Sequence, residues 1–168
     1  MKLVFPAIDM KEAALAYIQE YFDHGEEVIH GAPGLAAATS YENWLSQIKH
    51  DLTRDDGRIV PATAYFAIMD NEIVGTLHIR HKLNDGLMVT GGHIGYGVRP
   101  TARRKGYATQ MLACALDKCR EMGIDRALVT CDKNNIGSAR TITSNGGELW
   151  DEIIEDNGDI LQRYWIAI

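Results

Sequence analysis

The sequence predicts an α+β domain: a mixed, mostly antiparallel twisted sheet of about seven strands flanked by about four helices. Three observations carry this. Apolar periodicity switches between 2 and 3.6 along the chain, giving the order strand, two helices, three strands, long helix, strand, short helix, two strands. One segment, Ala108, Met111, Leu112, Ala115, Leu116, Cys119 and Met122, keeps helical spacing without a miss. Two pairs of strand-like runs are joined by short turns. With 168 residues, 46% hydrophobic and 24% charged, the chain suits one globular domain over 1–168.

The elements follow in order. "KLVF" reads as a short strand. "DMKE" has the Asp-x-x-Glu form of a capping box and opens a helix through about Phe22, with Leu15, Ile18 and Phe22 as its apolar stripe. "HGEEVIHGAPG" is a loop. "TSYE", Thr39 to Glu42, is a second capping box, and Tyr41, Trp44, Leu45, Ile48 and Leu52 mark the buried stripe of the next helix, which "RDDG" ends. "TAYFAIM" and "IVGTLHIR" form a hairpin across "DNE". "LNDG" is a turn. "TGGHIGYGV" is a strand whose glycines at 91, 92, 95 and 97 predict a bulge or a close backbone approach. The long helix after "RRKGYA" stops at Gly123 as its C′ residue. "RALVTC" is a buried strand. Asn135 caps a short helix that reaches Asn145, and "ELWDEII" and "ILQRYWIAI" close the chain as a hairpin across "DNGD".

Composition excludes several functions. Net charge is −6, against general nucleic-acid binding and mildly in favour of cationic partners. No apolar run reaches the ~18 residues of a membrane span. The opening "MKLVFPAIDMKEAA" is broken by Pro6 and Asp9, unlike a secretory leader. Cys114, Cys119 and Cys131 show no Cys-x-x-Cys spacing and read as reduced thiols of a cytoplasmic protein. The histidines give no metal spacing, so no metal is expected. Trp44, Trp150 and Trp165 sit in periodic segments and read as core, and Glu26–Glu27 as solvated.

Against the acidic background, Arg99, Arg103, Arg104 and Lys105 gather just before the long helix. A helix N-terminus presents unpaired N–H groups and a positive dipole end, which suit a phosphate. Gly106 and Ala108 keep the approach clear of bulk, and the cations add charge. "RRKGYA" therefore has the parts of a pyrophosphate seat, while a solvated charge run is the competing reading. Neither a P-loop nor a dinucleotide fingerprint is present.

"VRPTARRKGYATQML" resembles motif A of the GNAT N-acetyltransferase superfamily, Arg/Gln-x-x-Gly-x-Gly/Ala, through Arg103, Gly106 and Ala108, with Val98 and Pro100 upstream. "NNIGSARTITSNGG" resembles motif B through Asn135, Ser138 and Gly146. The resemblance implies a GNAT domain that transfers acetyl from acetyl-CoA, as co-substrate, to the amine of a small molecule or peptide by direct attack. It also implies a possible homodimer and a splay between the fourth and fifth strands. Residue by residue, Val98 and Arg99 offer backbone groups to the pantetheine. Arg104, Lys105, Gly106, Tyr107, Ala108 and Thr109 surround the pyrophosphate. Arg103 contacts CoA or supports the loop, and Asn135 bonds the pantetheine or caps its helix.

One position departs from the family. The motif B tyrosine that protonates the leaving thiolate falls on Ile142. Either the reaction proceeds without a dedicated acid, since a thiol of pKa about 8.5 leaves tolerably, or the domain is a non-catalytic acyl-CoA-binding or regulatory module. Tyr107 and Tyr164 are substitute acids. His93 is the candidate base or start of a water relay, against the plainer reading of a hydrogen-bonded strand histidine, and Tyr96 is a candidate helper through its hydroxyl.

Overall fold

The computed structural model describes residues 1–168. Seven strands, β1 (Lys2–Val4), β2 (Ala62–Met69), β3 (Glu72–Arg80), β4 (Ile94–Val98), β5 (Arg126–Asp132), β6 (Glu148–Ile154) and β7 (Ile160–Ala167), form two sheets. Their orders are β1-β2-β3-β4 and β5-β7-β6. Every ladder is antiparallel, so the expected mixed sheet is two antiparallel ones. The helices are α1 (Lys11–Asp23), α2 (Tyr41–Asp51), α3 (Asp85–Val89), α4 (Tyr107–Glu121) and α5 (Ile136–Ser144).

Alternation along β2 and β3 divides the core in two. Ala64 and Phe66 face Tyr17, Trp44 and Ile48 of α1 and α2. Leu77 and Ile79 face Met111, Leu112 and Ala115 of α4, together with Val129 of β5 and Ile142 of α5. The β2–β3 turn places Asp70 (φ 49°) and Asn71 (φ 66°) in the left-handed region, as a two-residue hairpin loop requires. Gly123 (φ 75°) ends α4 as expected.

Several expectations need correction. The "DMKE" capping box does not form: a 3₁₀ turn at Ile8–Met10 leads into α1, and no side chain caps it. The cap of α2 is Ser40, one residue later than expected, accepting from the Asn43 N–H at 3.1 Å. "LNDG" opens a helical turn, because the Asn84 side chain accepts from the Leu87 N–H at 2.9 Å and nucleates α3. The buried face of α1 is Ala14, Tyr17 and Tyr21, while Leu15 and Phe22 are exposed. Trp150 is exposed beside a β6–β7 register shift, with the Arg163 guanidinium over its ring at 4.3 Å.

Candidate active site

Between β4 and α4 the chain makes a 3₁₀ turn (Pro100–Ala102) and then two left-handed residues, Arg104 (φ 63°) and Gly106 (φ 78°). The second of these is the N-cap of α4 and has no side chain to cap with. The backbone N–H groups of Arg104 through Thr109 therefore meet no protein acceptor, and the first helical bond runs from Gln110 N–H to Gly106 O at 3.2 Å. A Cβ on Gly106 would touch nothing within 4 Å. Glycine is required there by the positive φ and not by crowding from the protein, and the space it leaves is open to an incoming anion.

The cation cluster divides into two pairs. Arg99 and Arg103 are spent on α1 and the loop after it. Arg99 Nε donates to Glu20 at 2.7 Å, Nη2 joins the same carboxylate, and Nη1 reaches the Ile73 carbonyl at 3.2 Å. Glu20 also accepts from Thr101 N–H (2.9 Å) and Oγ1 (2.8 Å). Burial alone would raise the Glu20 carboxyl, but the bonds from Arg99 and Thr101 outweigh it and hold it down at about 2. Arg103 makes a fork on Glu26 (2.6 and 2.7 Å), donates to Val98 O at 3.0 Å and lies over the Tyr21 ring. Glu26, expected to be solvated, is thus a structural partner. Arg104 and Lys105 are exposed, and neither is in a salt bridge or side-chain hydrogen bond. Of the four cations, these two remain for a ligand. The Arg99 N–H is likewise engaged, donating to Val74 O at 3.0 Å.

The sheets touch where His93 meets Leu128. The His93 N–H donates to Leu128 O (2.7 Å), and the Leu128 N–H donates to His93 Nδ1 (3.0 Å). Gly92 (φ 60°) permits this approach, since a Cβ there would lie 2.3 Å from Leu128 O. Beyond this joint β4 and β5 share no ladder, and a gap opens between them. His93 is buried, and burial together with Arg80 pushes its pKa to about 4. Its Nδ1 lone pair is occupied, so Nε2 carries the proton of the neutral ring. This geometry does not suit the base expected from the sequence. It suits a joint that sets the apex of the gap.

Tyr96, further along β4, reaches α5. Its hydroxyl lies 2.8 Å from Ser138 Oγ on α5, and burial pushes its pKa up to about 12. Asn135 Oδ1 accepts from the Ser138 N–H at 3.0 Å, the bond of an N-cap. Ile142 is fully buried in the core, against Gly147, where a Cβ would come within 2.4 Å of Ile142 Cγ2. A tyrosine at this position has no room in the present packing.

Of the two demands expected of these glycines, a bulge or a close backbone approach, the structure shows the second, since the β3–β4 ladder runs without a register shift and backbone passes close by Gly92 and Gly97. The loop from α1 to α2 crosses directly over the strand. A Cβ on Gly97 would lie 2.5 Å from His30 O, and one on Gly31 (φ 81°) would lie 2.3 Å from Thr76 O. Thr76 Oγ1 donates to His30 O at 2.7 Å and meets Tyr17 OH at 3.2 Å. Thr76, Glu20 and Glu26 were missed by the sequence reading. Their partners lie 46 to 81 residues away, and no local spacing signals such pairs.

A profile of the Acetyltransferase (GNAT) family matches residues 17–146. The chain belongs to this family. Among curated proteins none matches by sequence. Among solved structures, the fold is similar to RimL, the ribosomal L7/L12 alpha-N-protein acetyltransferase in complex with coenzyme A (18% identity, 99% of this chain and 93% of that one, TM-score 0.70). It is also similar to MccE, the microcin C7 self-immunity acetyltransferase in complex with acetyl-CoA and AMP (18%, 99% and 91%, 0.69), and to Mycobacterium smegmatis RimJ (20%, 98% and 80%, 0.72). At such identities the likeness of a GNAT structure shows the shared fold. No group of three or more His, Cys, Asp or Glu side chains comes together in a metal-holding arrangement.

Proposed function

We propose that this GNAT acetyltransferase uses acetyl-CoA to acetylate a primary amine by direct attack in the gap between β4 and β5. The observation that carries the reading is the run of six partnerless N–H groups at the entry to α4, with two free cations beside it. Arg104 to Thr109 would seat the pyrophosphate with their backbone N–H groups, with charge from Arg104 and Lys105. Bound there, acetyl-CoA supplies a thioester-activated acetyl group whose thiol leaves with a pKa of about 8.5. Arg103 and Arg99 act at one remove, by fastening this segment to α1 and the loop after it.

Tyr96 takes the place of the family tyrosine missing at Ile142. A hydroxyl held near 12 stays protonated at neutral pH and can donate a proton at the β4 side of the gap, with Ser138 fixing its direction. His93 shapes the gap without moving a proton. The three free thiols agree with a reducing, cytoplasmic setting.

The test is calorimetric titration with acetyl-CoA of wild type and an Arg104→Glu/Lys105→Glu variant, with thiol release followed against a panel of amines. Binding weakened about tenfold or more in the variant supports the seat, at roughly 1.4 kcal/mol or more for the two reversed charges. No binding by the wild type overturns the reading. Binding without thiol release for any amine favours the acyl-CoA-binding module instead.

A further inference from the structure

The face of the first sheet that turns away from α4 carries a cation without a counter-ion. Leu77 and Ile79 of β3 point toward α4, so His78 and Arg80 point to the other side. The Arg80 side chain is half-buried, and its Nη1 donates to the carbonyls of Gly91 (3.2 Å) and Gly92 (3.0 Å), just ahead of the His93–Leu128 joint. It makes no other side-chain bond and meets no carboxylate. The other arginines withdrawn from solvent, Arg54, Arg99 and Arg163, are paired with Asp56, Glu20 and Asp151. A cation drawn out of water with only carbonyls beside it is costly until an anion joins it. Nε and Nη2 of Arg80 are free for one, and neither is sealed from solvent.

His78 adds a donor. Its Nδ1 is the one buried side-chain nitrogen or oxygen without a hydrogen-bond partner. A bare lone pair is less costly there than an N–H, so the proton belongs on Nε2, which is open. Burial, with Arg80 and His81 adding to it, pushes the His78 pKa down to about 3, so the ring is neutral. No acidic side chain acts on Arg80, His78 or His93. The neighbouring strands add no bulk. His78 pairs with Ala64 on β2 and Gly95 on β4, and Arg80 pairs with Ala62. A Cβ on Gly95 would find nothing nearer than Gly31, 4.0 Å away. Donors without acceptors thus border a floor of alanine and glycine with room above it.

We infer that Arg80 and His78 form a carboxylate seat for the acceptor, so that the acetylated substrate is a small amino carboxylic acid. The inference rests on the acetyl-transfer reading, because the seat adjoins the apex of the β4–β5 gap. The carboxylate takes Nε and Nη2 of Arg80 with Nε2 of His78, and the amine end is left to the gap. Net charge of −6 favours cationic acceptors in general, and this pocket reverses that preference locally.

The test is thiol release from acetyl-CoA by the full chain, offered the standard amino acids, the carboxamide of each and the amine left by its decarboxylation. At least one amino acid should be turned over, with kcat/KM about tenfold or more above its carboxamide. Arg80→Gln should raise KM for that acid about tenfold or more, with kcat less affected and the carboxamide unmoved. His78→Ala should raise the same KM about threefold. Acetyl-CoA affinity by calorimetry should stay within about twofold in both variants, which also shows that they fold. Carboxamides or plain amines used as well as the acids overturn the inference. So does failure of every acid with a protein that binds acetyl-CoA, or an acid-to-carboxamide ratio unchanged in Arg80→Gln (in His78→Ala, should the first variant not fold). Failure of the wild type to bind acetyl-CoA is a different result: it overturns the acetyl-transfer reading itself and takes the seat with it.

Discussion

Glu20→Gln tests how the cofactor-side segment is held. Gln keeps the shape of the side chain and can still accept from Thr101, but it removes the charge that faces Arg99. A carboxyl held at about 2 instead of 4.5 carries at most ~3.5 kcal/mol of native-state preference, at ~1.4 kcal/mol per pH unit. Solvent at the edge of the pair reduces this to about 2 kcal/mol. For a chain of this size that corresponds to a fall in Tm of roughly 4–8 °C at pH 7. The pH dependence has a definite sign. The folded-state pKa is depressed, so the contribution is complete above about 4.5 and is lost as pH falls from there toward 2. Thermal unfolding of both proteins from pH 7 down to pH 2.5 is the assay. The gap between them should be widest at neutral pH and narrow in acid. Equal stability at pH 7, or a gap that persists undiminished at pH 2.5, would refute the reasoning.

Other expectations follow from the same contacts. His93→Ala should lower stability by about 1–3 kcal/mol, since the Leu128 N–H loses its acceptor, and should leave the shape of the pH–rate profile unchanged; loss of one limb of that profile would restore His93 as the base. In the wild type, the depressed His93 pKa makes its share of stability complete above about 6.5 and lost as pH falls toward 4, which denaturant titrations across that window can detect by comparison with His93→Ala. Ile142→Tyr should overpack the site against Gly147 and cost about 1–3 kcal/mol without raising turnover; a faster enzyme of unchanged Tm would show that the position does face the thioester. Tyr96→Phe should reduce turnover while leaving acetyl-CoA affinity within about twofold, and equal turnover would remove Tyr96 from the chemistry.

What the sequence made legible is what local spacing encodes. The stripe of α4, its glycine stop, the Asn135 cap and the C-terminal hairpin are decided by neighbours within a few turns, and they stand where expected. The α1 stripe failed because apolar spacing cannot rank two adjacent faces. Tyr17 and Tyr21 won the interior by bringing hydroxyls that Thr76 and each other can satisfy, a long-range fact with no signature in α1 itself. The same limit explains the cations. Four basic residues in seven positions look alike in sequence, yet two are neutralised by acids that precede them by more than seventy residues. That division has a functional consequence. Arg99 binds the strand-to-helix segment to α1 through Glu20, Arg103 binds it to the loop leaving α1 through Glu26, and that loop is itself pinned to β3 at Thr76 and packed over β4 at Gly97. The cofactor side and the opposite face of β4 are thereby fixed by one helix and its loop. A charge change at Glu26 should accordingly disturb both acetyl-CoA affinity and the placement of the loop over β4, whereas a change at Arg104 should disturb the first alone.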